Sequence, residues 1–349
     1  MRDDWKRHLI DAGAEFEGDH LRDFGNAERE RRVAVNGDVV CDLSHRGLLE
    51  VRGKDAQSFL QGQFGNDIRE VTETRSQLSS YSNAKGRAYA VFRVIRDRDA
   101  YLLEMNPEPL ETVRKRLVMF VLRADVVIEN AEDSRIRFGL SGPTAEKQLT
   151  DALGGFPREV NEVLRLKGVS VVRVPQMVHP RFEFAGEIDA CRTLWNDLNV
   201  HSAPVGPEGW RLLDILAGVP AIYPETGESF VPQMVNLHAL HGISFKKGCY
   251  PGQEVVARMH YLGKLKRRMF RLAIEGQERP SPGSPVFRSG GDAGQPDGEI
   301  VDAVLHPDGL YAALAVLQIA AVGEPLRWGS PDGSAAHVIP LPYTIPGSA

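Results

Sequence analysis

The sequence predicts an α+β fold in two parts, a mixed region followed by a small all-β barrel. Three observations carry this. Residues 108–122 (EPLETVRKRLVMFVL) space Leu110, Val113, Leu117 and Phe120 as one helical stripe. Residues 78–106 alternate apolar and polar side chains between tight turns, the period of strands. After residue 263 the chain becomes rich in Pro and Gly, and short strand-like runs follow (EIVDAVLH, LYAALAVLQ, PLRW, AAHVIPL).

Taken in order, residues 5–14 read as a short helix ending near Gly13. Val33 and Val35 alternate and predict a strand, and Leu48, Leu49 and Val51 predict a second one beyond the DLSHRG turn. Asp55 is placed to cap a helix whose apolar face is Phe59, Leu60 and Phe64. RADVVIENA returns to strand. A helix near 144–153, strands near 169–186 and helices at 188–198 and 207–217 follow. The last of these has Pro207 at its start and Gly218 and Pro220 as stop signals. The predicted organisation is residues 1–262 as one region and 263–349 as the barrel.

Composition narrows the function classes. With 42% hydrophobic and 26% charged residues, the chain of 349 residues can bury real cores. A net charge of −5 gives no global attraction to nucleic acid or anionic membrane. Three widely spaced cysteines, Cys41, Cys191 and Cys249, form neither a disulfide framework nor a CxxC pair. The N-terminal stretch lacks an apolar signal core, and no apolar run reaches bilayer length. The expected location is the cytoplasm, with no membrane partner.

One stretch stands apart: KKGCYPGQE, residues 246–254. Its glycines and proline predict a shaped loop, and the lysine pair beside Cys249 favours a thiolate. A small residue filling a turn is the bland alternative. NAKGR (83–87) reads as a hairpin turn with two cations, able to hold an anion through Lys85, Arg87 and the Gly86 amide. Trp210 sits on an apolar helix, where a core role and a stacking platform are both open. KLKRRMFR is the only dense basic run; a solvated strand face is its ordinary reading and an RNA contact the rarer one. Asp42, Ser44 and His45 are not read as a triad, since three members so close would point apart on a strand. No Walker A, GxSxG or HExxH motif is present.

Together these segments resemble the YgfZ family of folate-binding proteins, relatives of the glycine-cleavage T-protein, an aminomethyltransferase. The resemblance runs through CDLSHRGLLEVRGKDAQSFLQGQFGND, YSNAKGR, GWRLLDILAGVP, FVPQMVNL and GISFKKGCYPGQEVVARMHYLGKLKRR. KGCYPGQE is its most specific element. It implies two interleaved α+β subdomains around a central hole, a C-terminal β-barrel, and tetrahydrofolate or a related reduced folate in the hole. It also implies an accessory role in assembling or repairing iron–sulfur proteins, including enzymes that modify tRNA. On that reading Cys249 is the working group with Lys247 in its loop, and Trp210, Arg46, Asn83, Lys85 and Arg87 are the folate-side residues. The expected partners are iron–sulfur client or assembly proteins, with any tRNA link indirect.

Two departures from the T-protein pattern bear on chemistry. Its Asp pair aligns with Tyr89 and Ala90, and a Glu near the end of the Trp210 helix aligns with Leu216. Without a carboxylate at 89 or 90 the acid–base partner for aminomethyl transfer is missing. A folate-dependent one-carbon transferase is the alternative reading. A single cysteine cannot by itself hold a four-thiolate cluster, so any cluster contact would be transient or shared.

Overall fold

The computed structural model describes residues 1–261, 263 and 265–346; Lys264 of the basic run lies outside the described residues. The chain opens with α1 (Asp3–Asp11), the hairpin β1 (Glu15–Glu17) and β2 (His20–Asp23), α2 (Ala27–Asn36) and β3 (Val39–Asp42). It then leaves for a second sheet: β4 (Gly47–Arg52), α3 (Ala56–Gln61), β5 (Gln77–Ser82), β6 (Ala88–Asp97), β7 (Ala100–Met105), α4 (Leu110–Val121) and β8 (Val127–Asn130). It returns with β9 (Ile136–Ser141), α5 (Ala145–Leu153), β10 (Val163–Leu166), β11 (Val169–Arg173), β12 (Arg181–Gly186), α6 (Ile188–Asn199), β13 (Ala203–Val205) and α7 (Pro207–Leu216). A long connection leads to α8 (Gln253–Tyr261) and then to β14 (Arg267–Ile274), β15 (Pro285–Arg288), β16 (Gly298–Leu305), β17 (Tyr311–Gln318), β18 (Leu326–Trp328) and β19 (Ser334–Ile339).

Beside the β1-β2 hairpin, the described strands form three larger sheets. The first has order β10-β11-β12-β9-β3-β13, the second β5-β6-β7-β4-β8, and the last six strands close into a barrel. The second sheet is an excursion from the first, so the two α+β units are interleaved. Closure leaves no open edge in the barrel, because β14 pairs with both β17 and β19.

Each layer has its own core. Trp5, Phe138, Phe182, Phe184 and Trp195 fill the space between the first sheet and α1, α5 and α6. Phe64, Phe92, Tyr101 and Leu117 pack the second sheet against α3 and α4. A third core joins Leu212 and Ile215 of α7, Phe230 and Leu237 of the long connection, and Val301 and Val304 on the outside of the barrel. That third core holds the barrel against the interleaved units.

Four expectations are corrected. Val33 and Val35 lie in α2 and not in a strand, because Asn26 Oδ1 accepts from Arg29 N at 2.9 Å and Glu30 Oε1 accepts from the N-cap amide of Asn26 at 3.2 Å. Two satisfied helix-start amides outweigh the strand preference of two β-branched residues. Asp55 starts α3 without a side-chain cap; its carboxylate accepts from Asp125 N instead. Phe120 is 53% exposed, although Leu110, Val113 and Leu117 are buried as the stripe predicts. The signature loop turns into helix at Gln253, directly after Gly252.

Candidate functional site

The two sheets, α7, residues 219–223 and one barrel residue enclose a cavity of about 290 Å³. Its apolar wall includes Leu78, Val91, Met105 and Val174, and its polar wall is built from charges. Arg46, one residue before β4, is the centre. Its Nη1 donates to Glu104 Oε1 and Glu183 Oε1, both at 2.7 Å, and its Nη2 donates to Asp214 Oδ2 at 2.5 Å. β7, β12 and α7 supply these carboxylates, so one guanidinium joins both sheets and the helix.

Further arginines complete the network. Arg181 Nη2 donates to Asp214 Oδ1 at 2.7 Å, Arg137 lies 3.6 Å from Glu104, and Arg93 lies 3.5 Å from Glu183. Four cations thus face three carboxylates. Burial opposes the charge on Arg46, but Asp214, Glu183 and Glu104 outweigh it and hold its pKa above the ordinary value. Burial likewise opposes the charges on Glu104 and Asp214, while Arg46 with Arg137 or Arg181 keeps both carboxyls below their ordinary values. Such a buried network is permissible only when its partners satisfy one another. Four of its buried atoms have no hydrogen-bond partner: Glu183 Oε2, which lies 3.5 Å from Arg93 Nε, and on the cation side Arg137 Nε and Nη1 and Arg181 Nε.

His45 also lines the cavity, with Nδ1 3.1 Å from the Asp42 carbonyl. Burial, helped by Arg46 and Arg137, pushes its pKa down to about 3, so it is neutral. The Asp42–His45 segment is a turn and not extended strand: Ser44 Oγ donates to Asp42 Oδ1 at 2.9 Å, and Trp5 Nε1 donates to the same oxygen at 2.7 Å. Across the cavity, Arg211 Nε donates to Asp302 at 2.8 and 3.0 Å, and Tyr223 Oη donates to Asp302 Oδ2 at 2.9 Å. A bulge in β16 between Ile300 and Asp302 aims this carboxylate out of the barrel toward α7.

Trp210 does not line this cavity. It is fully buried against Gly139, where an added Cβ would fall 2.3 Å from the ring, and the Arg181 guanidinium lies 4.6 Å from its centroid. Its neighbours on α7, Arg211 and Asp214, hold the cavity positions instead. Where β6 reaches the cavity it presents Val91 and Arg93; Ala90 is buried in the second-sheet core, and Tyr89 stacks with Arg116 at 4.1 Å.

The remaining expected residues form a second place. Lys247 is 5% exposed, and its Nζ donates to the carbonyls of Gln61 (2.7 Å), Phe64 (2.5 Å) and Asn66 (3.0 Å). Burial lowers its pKa to about 8. All three ammonium protons are used on the backbone, so Lys247 anchors the loop and is not free to act on the thiol. Asn83 Oδ1 accepts from Lys85 N (2.8 Å) and Arg87 N (3.0 Å), and the Arg87 guanidinium donates to the Ser229 carbonyl. The 83–87 turn therefore packs under the signature loop and takes no part in the cavity. Gly252, at φ +80°, would place a Cβ 2.4 Å from Gly86 Cα, so only glycine permits this backbone contact. Cys249 itself is exposed, and among the described residues its sulfur has no hydrogen-bond partner; Cys41 and Cys191 are buried, with pKa values raised by burial.

In the basic run, Arg271 is buried and donates to the Leu216 carbonyl at 3.1 Å, while Arg268 stacks on Phe270. Its charges divide between faces of β14. Among the described residues no group of three or more His, Cys, Asp and Glu is placed to hold a metal ion, and no helix is long and apolar enough to cross a membrane.

Glu104, Glu183 and Asp214 are absent from the sequence-based expectations. A signal existed. YLLEM, RFEFA and LLDIL each place one carboxylate inside an apolar run, where only a paired charge is tolerable.

Two solved structures resemble this one. The aminomethyltransferase T of the glycine cleavage system from Bartonella henselae superposes with TM-score 0.70 at 19% identity, covering 97% of this chain and 96% of that one. One chain of the heterotetrameric sarcosine oxidase from Corynebacterium sp. U-96, in complex with pyrrole 2-carboxylate, gives 0.37 at 14% identity, covering 56% and 94%. The first shares the fold across nearly its whole length; the second adds nothing to that. Residues 13–190 match the GCVT N-terminal domain, just over half of the chain, and the chain belongs to that family.

Proposed function

We propose that this chain is a folate-binding accessory factor of the YgfZ type, serving the assembly or repair of iron–sulfur proteins through Cys249. The cavity carries the folate half of the reading. Among the described residues its one buried carboxylate oxygen without a hydrogen-bond partner is Glu183 Oε2, 3.5 Å from Arg93 Nε. A reduced pteridine presents adjacent N–H donors that a carboxylate oxygen can accept. The volume of about 290 Å³ lies at the low end for ligand pockets, roughly 300–1,000 Å³. It suits the bicyclic ring, with the remainder of the ligand passing the mouth beside Glu108 and Pro207.

Transfer chemistry is disfavoured by the same wall. Glu104, Asp214 and Asp302 are each bound by an arginine, so none is free to move a proton. Cys249 stands outside on an anchored loop, where a partner can reach it. Any link to tRNA runs through client enzymes in this reading.

The test is tetrahydrofolate binding under anaerobic conditions by wild type, Glu183→Gln and Val91→Trp, with thermal melts of each as fold controls. Saturable binding lost in both variants is expected. A folded wild type that does not bind ends the folate assignment. In cells lacking the chain, Cys249→Ala is expected not to restore iron–sulfur enzyme activity; full restoration ends the thiol's role. Turnover of an aminomethyl or methyl donor with tetrahydrofolate would favour the transferase reading instead.

A further inference from the structure

We infer that the C-terminal end of α4 is a docking surface for a protein partner that offers an apolar pocket with an acidic rim; the identity of that partner as an iron–sulfur client rests on the accessory-factor reading. Val118, Met119, Phe120 and Leu122 are 45%, 71%, 53% and 87% exposed at the last turn and C-cap of one helix. Large apolar side chains grouped this way on a surface mark contact sites. Leu122 adds a second observation. It ends the helix at φ 48° and ψ −104°, a conformation that strains any residue with a Cβ. A glycine would relieve the strain; the sequence instead places a leucine there and points it into solvent.

The surroundings define the partner. Arg114 and Lys115 are matched with Glu111 on the same helix, but Arg116 and Arg123 have no ion-pair partner among the described residues. Guanidinium groups without a carboxylate partner, Arg123 and the Tyr89-stacked Arg116, beside exposed Met, Phe and Leu side chains fit acidic residues around an apolar recess. The surface is convex, a helix end and not a groove, so it inserts into a partner.

Its position ties it to the thiol. Arg116 stacks on Tyr89 at 4.1 Å, Tyr89 lies 5.4 Å from Tyr81, and Tyr81 packs on Phe64 at 6.0 Å. The Phe64 carbonyl is one of the three that hold Lys247, two residues from Cys249. A partner seated on α4 therefore lies on the same unit that carries the Cys249 loop.

The experiment measures binding of the full-length chain to a purified cluster-free tRNA-modifying iron–sulfur enzyme, and separately to phosphatidylglycerol vesicles, at two salt concentrations. Wild type and Cys249→Ala are expected to bind the enzyme, more weakly at high salt. Phe120→Glu and Leu122→Gly are expected to weaken binding at least tenfold. Leu122→Gly should melt no lower than wild type, which separates lost contact from lost fold. Equal binding by wild type and both variants overturns the docking surface, as does absence of wild-type binding. Binding to vesicles in place of the enzyme, or loss of self-association alone in the variants, also overturns it. Docking fails without the function failing when the variants bind normally while Cys249→Ala still cannot restore enzyme activity; the function fails without docking when Cys249→Ala restores it fully.

Discussion

The cavity and the thiol loop solve opposite problems, each with a buried cation. In the cavity, arginines and carboxylates from both sheets are buried together, and each charge is stabilised by another charge. In the loop, one buried lysine is stabilised by three neutral carbonyls, and the reactive group is left outside in water. The first arrangement makes a shaped interior wall whose geometry depends on every member. The second fixes a backbone and leaves its thiol uncommitted. Rigidity is shared; what differs is whether the functional group is part of the structure that holds it.

The largest test of that contrast is Arg46→Met. It strips the shared cation from Glu104, Glu183 and Asp214, and breaking a buried ion network costs about 3–5 kcal/mol. Urea unfolding would measure it; a loss below about 1 kcal/mol would mean that water already screens the network. Next comes acid. His45 is neutral in the fold, with its pKa near 3, and unfolding lets it bind a proton below its ordinary value of 6.5. Its stabilising effect is present above that value and declines as pH falls from 6.5 toward 3. Glu104 and Asp214, held low, act in the same direction: their contribution is present above the ordinary carboxylate range and is lost as pH falls through their folded values. Melting temperature should fall steadily over this window, and His45→Gln should flatten its upper part. An unchanged slope in His45→Gln would remove the histidine from the account.

Lys247→Met is expected to be smaller and local. It orphans three carbonyls, each buried acceptor worth about 1–3 kcal/mol when left unsatisfied, less what the removed buried charge returns. New protease cleavage within 244–252 and an unchanged acid slope would fit; loss of the acid slope would show that the two places are not separate. The smallest effect belongs to Cys249→Ser, expected within about 0.5 kcal/mol of wild type because the side chain is exposed. In the native protein Cys249 should be alkylated first, with Cys41 and Cys191 reacting only on unfolding. Simultaneous labelling of all three would contradict the burial pattern.

The sequence made the periodic parts legible. The stripe of Leu110, Val113 and Leu117 placed α4, and alternation placed β5 to β7 and most of the barrel. It misread what depends on local caps, as at Val33 and Val35, where Asn26 and Glu30 decide for helix. At the site, Arg46 entered only through the family resemblance, whereas the signature loop stood out as a local pattern. The ion network did not, because Glu104, Glu183 and Asp214 are far apart in sequence and become one feature only when the sheets meet. Trp210 shows the complementary error: helix position alone does not say which of two adjacent residues faces a cavity, and the close approach to Gly139 is invisible until both elements are placed.

The interleaving carries a consequence for how the chain is made. All five strands of the second sheet lie within residues 47–130, so it can close as soon as that stretch has left the ribosome. The first sheet cannot: β3, at residues 39–42, waits for its parallel partner β13 at residues 203–205. Synthesis thus builds the inserted unit first and leaves an early strand unpaired for about 95 residues, until β9 emerges, and half-paired for about 60 more, together roughly 10–30 s at 5–20 residues per second. Pulse-labelled hydrogen exchange during refolding should protect β5 to β7 before β3, and the reverse order would show that the host sheet nucleates without its last strand.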